Sequence, residues 1–195
     1  MRVHILGMPH TQLTGDYLRC AYTQKIVKLC DMLINEGLEV TVYASEDNET
    51  KAKLVTCITK AEQAECGFHG PSDYNSMVWD NTKPIWTVFH AKVIDNLSTN
   101  VKAGDIIGTF AGLCDEPIFK AFPQCRFVEL GIGYAGIIPN AFHIFESWAW
   151  LHTVMGQIHG AYQADGVFYD TVIPNFFEKK DFPLSYEQEN YYLFV

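Results

Sequence analysis

The sequence predicts an α/β domain in which one parallel sheet is sandwiched between helices, a Rossmann-like arrangement. Three observations point there. The chain opens on a short apolar strand, an amphipathic helical stretch and a second apolar strand, the β-α-β unit that seeds parallel sheets. Apolar runs then recur behind it with helix-length segments between them, giving five or six strands in all. Finally, 195 residues with 48% hydrophobic and 14% aromatic side chains suffice for one full core.

In chain order, residues 2–6 form the first strand, broken by Gly7. Thr14 or Asp16 caps a helix that runs to about Glu36, with Leu18, Tyr22, Ile26, Leu29 and Leu33 recurring at helical spacing. Gly37 is a natural residue to end it, and 38–44 make the second strand. A polar loop precedes a short strand over 53–58, and 67–81 mix turn residues with aromatics as a packed loop does. Pro84 sits in the first turn of a helix over 84–97; 105–110 is a strand, 116–122 one or two helical turns, and 125–130 another strand. The stretch 131–146 has three glycines in six residues and a Pro-Asn pair, and reads as neither steady helix nor steady strand. A helix over 147–159 and a strand over 167–173 complete the domain. After a turn at Pro174-Asn175, residues 175–190 read as an extended linker, and 191–195 as a new strand that has no sheet of its own.

Composition excludes several functions. With 23 acidic and 14 basic residues the formal charge is −9, a poor basis for binding nucleic acid or an anionic membrane. The six cysteines show no C-x-x-C pair and read as free thiols of a reducing compartment. The N-terminal apolar run is too short for a signal peptide or a span, so the expected location is cytoplasmic, with the cytosolic membrane face as the only membrane contact. No metal is expected: His152 and His159 share a helix face, but no third ligand stands at metal-site spacing. The dinucleotide fingerprint G-x-G-x-x-G does not follow the first strand, and no P-loop is present.

Candidate chemistry collects where parallel strands end. The loop GMPHTQLTG offers Gly7, Thr14 and Gly15 in front of a helix N-terminus, which favours negative charge, although Pro9 removes one donor. His10 in that loop is a base, a hydroxyl partner or simply solvated. Glu129 stands at the exit of a buried strand, where a carboxylate is costly unless paired or facing a wet cleft. Gly131 and Gly133 behind it allow close approach, and Tyr134 is a ligand-stacking ring or a core aromatic. Asn175 caps or braces the chain where it leaves the domain.

The segment VIPNFFEKKDF followed by YYLFV resembles the interdomain crossover of nucleotide-sugar glycosyltransferases with the two-domain GT-B fold, in their large retaining family numbered four. GDIIGTFAG and FVELGIGYAGIIPNAFHIFESWAWLHTVMG are similar to a branch in which Glu-x-Gly-x-Gly-Tyr follows the fifth strand. The resemblance implies that 1–174 form the N-terminal, acceptor-side domain, 175–190 the linker and 191–195 the first strand of a C-terminal domain, with a native reading frame roughly twice as long. It implies metal-independent hexosyl transfer, without cofactor, from a nucleoside diphosphate sugar to a carbohydrate or lipid-linked acceptor in polysaccharide or glycan biosynthesis. The donor would sit mainly in the C-terminal domain. On this resemblance the 7–15 loop lies on the diphosphate or acceptor side. Glu129 stands where many relatives carry a sugar-contacting His, and the nearest histidine here is His143. Glu129, His10 and His143 are thus the expected catalytic residues; Gly7, Thr14, Gly15, Gly131, Gly133, Tyr134 and Asn175 are the expected ligand-binding ones. The rival expectation is a non-catalytic α/β binding module that needs a partner domain.

Overall fold

The computed structural model describes residues 1–74, 80–175 and 177. Seven strands form one sheet: β1 (Arg2–Leu6), β2 (Glu39–Ser45), β3 (Lys53–Ile58), β4 (Ile106–Thr109), β5 (Arg126–Ile132), β6 (Phe142–Phe145) and β7 (Thr171–Val172). Their order is β3-β2-β1-β4-β5-β6-β7 and every pairing is parallel. The chain winds outward from β1 to β3, then returns to β4 on the other side. The topological switch point of this Rossmann-like fold therefore lies between β1 and β4, where doubly wound sheets open a crevice at their carboxyl edge.

The helices are α1 (Ala21–Asn35), α2 (Lys60–Glu65), α3 (Pro71–Tyr74), α4 (Pro84–Asn100), α5 (Glu116–Ala121) and α6 (Trp148–His159). Helix α1 buries Ile26 and Cys30 and ends as expected. Gly37 at φ 79° sends its N–H to Ile34, and Leu38 sends its N–H to Leu33, the paired bonds of a Schellman cap. Helix α4 buries Ile85, Trp86, Phe89, Val93 and Leu97 against the main core, which also takes Ile5, Val42 and Ile107 from the central strands. A smaller cluster, with Ile132, Phe145, Leu151 and Met155, lies under α6.

The expected five or six strands are seven, and three further expectations need correction. Helix α1 starts at Ala21, behind a 3-10 turn at Gly15–Tyr17, and its cap is Cys20 Sγ rather than Thr14 or Asp16. The reason is that Leu13 is tied to the β2–β3 loop by Leu13 N–H to Asp47 O and Glu49 N–H to Leu13 O, which keeps Thr14 extended. Residues 131–146 do contain a strand, β6, whose pairing with β5 shifts register between Glu129 and Ile132 at a left-handed Gly131, φ 57°. The 167–173 strand contracts to Thr171–Val172, because Asp170 closes a turn by accepting the Val167 N–H at 2.9 Å and returning its own N–H to Val167 O. The unassigned segment before residue 67 is α2, opened by a Thr59/Glu62 capping box. The expected linker beyond Asn175, apart from Phe177, and the terminal strand 191–195 lie outside the described residues.

Candidate functional site

At the carboxyl edge, the ends of β4 and β5 and the start of α1 enclose a cleft of about 340 Å³. Its walls include Tyr22, Phe110, Leu113, Cys114, Tyr134 and Gly136. The Tyr22 and Tyr134 ring centroids are 6.2 Å apart. The loops after β4 and β5 meet through backbone: Leu113 N–H donates to Gly136 O at 2.9 Å. Gly112 makes that approach possible. It has φ 56°, and a Cβ there would lie 2.6 Å from both Gly136 O and the Tyr134 ring.

Beneath the cleft lies Glu129. It is fully buried rather than facing a wet cleft, and both of its oxygens are engaged. The Ile138 N–H donates to Oε1, and the Tyr134 hydroxyl, 3.2 Å away, donates to Oε2. His143 on β6 is the register partner of Glu129. Its Nε2 lies 3.0 Å from Ile138 O and its Nδ1 2.8 Å from the Asp170 carboxylate. A cross-strand pair thus grips Ile138 at its N–H and its C=O, which sets the path of the loop carrying Tyr134. Burial pushes the Glu129 pKa up to about 8; the Ile138 and Tyr134 hydrogen bonds pull it down, and Asp115 pushes it further up. The carboxyl is therefore mostly protonated at neutral pH. Burial and then Glu129 also raise the Tyr134 phenol.

Asp115 and His90 are members of this edge that the sequence reading did not single out. Asp115 is fully buried; it accepts from Thr109 and lies 2.9 Å from His90 Nε2. Thr109 is the β4 register partner of Glu129, so the two buried carboxyl groups share one sheet edge. The signal available in sequence was only an acidic residue before Glu-Pro at a helix start, and nothing in it pointed to His90.

Gly131, Gly133 and Asn175 come together around an ion pair. Lys25 Nζ lies 2.6 Å from Glu146 Oε2 and 3.0 Å from Gly131 O, and Asn175 Nδ2 donates to the same Glu146 oxygen at 3.0 Å. A Cβ on Gly133 would sit 2.1 Å from Glu146 Oε1, so that glycine makes room for the carboxylate. Burial acts to raise the Glu146 pKa, but Lys25 and Asn175 outweigh it and hold the group below its ordinary value. Here the expected ligand-binding glycines serve an internal ion pair, and Asn175 braces the departing chain.

The 7–15 loop is built differently from the expected anion cradle. The Gly7 N–H goes to Tyr43 O at 2.8 Å, and a Cβ there would strike Ala44 Cβ at 2.6 Å, so Gly7 packs β1 on β2. The Gly15 N–H is taken by the Glu49 carboxylate at 2.8 Å, where a phosphate would be repelled. Thr14 makes no side-chain cap bond. His10 is buried, with the Phe68 and Trp86 rings centred 5.9 and 6.3 Å away. Burial lowers its pKa to about 4, so it is neutral at pH 7.

Among the described residues no group of three or more His, Cys, Asp or Glu is arranged to hold a metal, and no helix is long and apolar enough to cross a membrane. His152 instead meets Ala164 O and Asp165, at 3.1 and 3.5 Å. No protein-family model matches the chain, and no curated protein sequence matches it either.

Proposed function

We propose that the chain is the acceptor-side domain of a retaining, nucleoside-diphosphate-sugar-dependent glycosyltransferase. The observation that carries this reading is the cleft at the carboxyl edge, beside the switch point, walled by the half-buried rings of Tyr22 and Tyr134. Aromatic faces at a crevice suit the apolar face of a sugar ring, and the crevice wall limits water around the transferred group. Neutral Glu129 acts from beneath, holding the Tyr134 hydroxyl and, through Ile138, the loop that bears it. The Lys25–Glu146–Asn175 cluster supports the reading from the other side, since it anchors the VIPN segment at the end of β6, where a linker to a donor-binding domain would depart. The acceptor is a carbohydrate or a lipid-linked carbohydrate, the latter entailing contact with a cytosolic membrane face.

The test is transfer by the product of the whole reading frame, assayed with a panel of nucleoside diphosphate sugars by release of the nucleoside diphosphate. Tyr134→Ala and Tyr22→Ala should each lower kcat/KM by about 10-fold, the magnitude of a lost aromatic contact. Absence of turnover and of hydrolysis with every donor would overturn the reading. One observation favours a second reading, a non-catalytic binding module. Glu129, His10 and His143, the titratable residues expected to catalyse, are exposed by only 0%, 5% and 4%. Saturable carbohydrate binding without turnover in the whole protein would establish it.

A further inference from the structure

On the other side of the switch point, the loops after β1, β2 and β3 form a second groove of about 430 Å³, a volume that suits a small ligand. A chain of buried polar groups holds its floor. The single Ser45 hydroxyl hydrogen is shared between the carbonyls of Met8 and Pro9, at 3.2 and 3.1 Å from Oγ, and Gln63 Nε2 donates to Pro9 O and Ser45 Oγ, at 2.9 and 3.0 Å. Gln63 Oε1 then accepts from Gln12 Nε2. The orientation of both amides follows from the first link. A carbonyl only accepts, so Gln63 must turn its NH₂ to Pro9 and its oxygen to Gln12, and Gln12 must answer with its NH₂. That leaves Gln12 Oε1 as the end of the chain: buried, lining the groove, and without a hydrogen-bond partner among the described residues. Gln12 as a whole is 4% exposed, and a buried acceptor of this kind calls for a donor.

The groove's rim says which donor. Its charged residues are Asp16, Asp47, Glu49 and Lys60, and Lys60 is paired with Asp47. Asp16 and Glu49 make no ion pair among the described residues, so the groove presents a net negative field, and Tyr17 and Phe68 add aromatic surface. We infer that this groove binds a hydroxylated primary amine of monosaccharide size, an amino sugar, with a ring hydroxyl donating to Gln12 Oε1 and the ammonium facing the carboxylates of Asp16 and Glu49. Its readout is binding alone, so it stands or falls separately from glycosyl transfer at the Tyr22–Tyr134 cleft.

The experiment is a titration of the whole protein with D-glucosamine, D-glucose and ethanolamine, followed by amide chemical shifts and calorimetry. Glucosamine should saturate and bind about 10-fold tighter than either glucose, which lacks the charge, or ethanolamine, which lacks the ring. Glu49→Gln should weaken glucosamine by about 10-fold and leave glucose unchanged, while Gln12→Met should weaken both sugars by a similar factor. Gln12 is buried and its variant risks misfolding, so exposed Glu49 carries the test with an unaltered melting temperature as its control. Equal binding of glucosamine and glucose, equal binding of ethanolamine and glucosamine, or a Glu49→Gln protein that binds like the parent would overturn the inference.

Discussion

The two halves of the sheet edge hold their loops by opposite chemistry. On the β1–β3 side the buried ties are neutral: the Ser45–Gln63–Gln12 amide chain, and a neutral His10 beside the rings of Phe68 and Trp86. At the exposed rim of that side, the carboxylates of Glu49 and Asp47 hold the Gly15 N–H and Lys60. On the β4–β7 side they run through carboxyl groups: Glu129 to Ile138 and Tyr134, Asp115 to Thr109 and His90, Asp170 to His143, and Glu146 to Lys25 and Asn175. Each half encloses a titratable group that burial drives toward its neutral form, the base His10 on one side and the acid Glu129 on the other. Burial disfavours either charge, so the two groups respond to pH in opposite directions.

The strongest way to break the carboxyl side is Gly112→Ala. The new Cβ would meet backbone oxygen and a ring at 2.6 Å on a left-handed residue, so neither rotamer change nor a soft neighbour relieves it. A loss of about 3 kcal/mol is expected, or roughly 6–12 °C in Tm for a domain of this size, measured by thermal melting. The neutral side is sharpened by acid. The pKa of His10 is about 4 when folded against 6.5 unfolded, so between those values the unfolded chain binds more protons and stability rises with pH. The gain across that window is on the order of 2–3 kcal/mol. His10→Phe should flatten that limb in melts at pH 4.5 and 6.5, though not abolish it, because burial lowers His4 as well. The smallest effect is local: Thr59→Ala removes half of the α2 capping box and should cost about 1 kcal/mol at any pH in urea unfolding.

The same contrast governs what could be read without coordinates. The β1-α1-β2 opening was legible because its signals are local: apolar periodicity in the helix, and Gly37 just past its end. Helix α2 was legible too, since Thr59-x-x-Glu62 is a capping box in plain letters, but it went unread. On the carboxyl side the determinants are far apart in the chain. Glu129 could be singled out as a carboxylate at a strand exit, yet its burial depends on Tyr134 and Ile138 folding back over it. Lys25 and Glu146 are 121 residues apart, and His90 and Asp115 are 25 apart, with no motif to link either pair. Strand β6 is only four residues long and alternates in burial but not in polarity: Phe142 points outward while His143 and Phe145 are buried, so its letters do not mark an inner face. The glycines drew notice for their number, but their reason, an ion pair packed on the backbone, is three-dimensional.

The central claim is that Glu129 stands protonated beneath the cleft as a strut for the Tyr134 loop, and the most direct test is the pH dependence of Tm for the parent and for Glu129→Gln between pH 5 and 8. Its folded pKa of about 8 lies above the ordinary 4.5, so the folded protein holds the proton more tightly. The stability it contributes is therefore greatest at low pH and falls as pH rises through that window. The Tyr134 hydroxyl donates to Oε2 of the ionised group, but with the proton on Oε2 the bond reverses and Glu129 donates to the Tyr134 oxygen. Glutamine copies that neutral arrangement, with an oxygen for the Ile138 N–H and an NH₂ for the Tyr134 oxygen. The parent should lose more Tm than Glu129→Gln between pH 5 and 8, with the two close together at pH 5. Parallel curves across the window, or a variant already far less stable at pH 5, would contradict it.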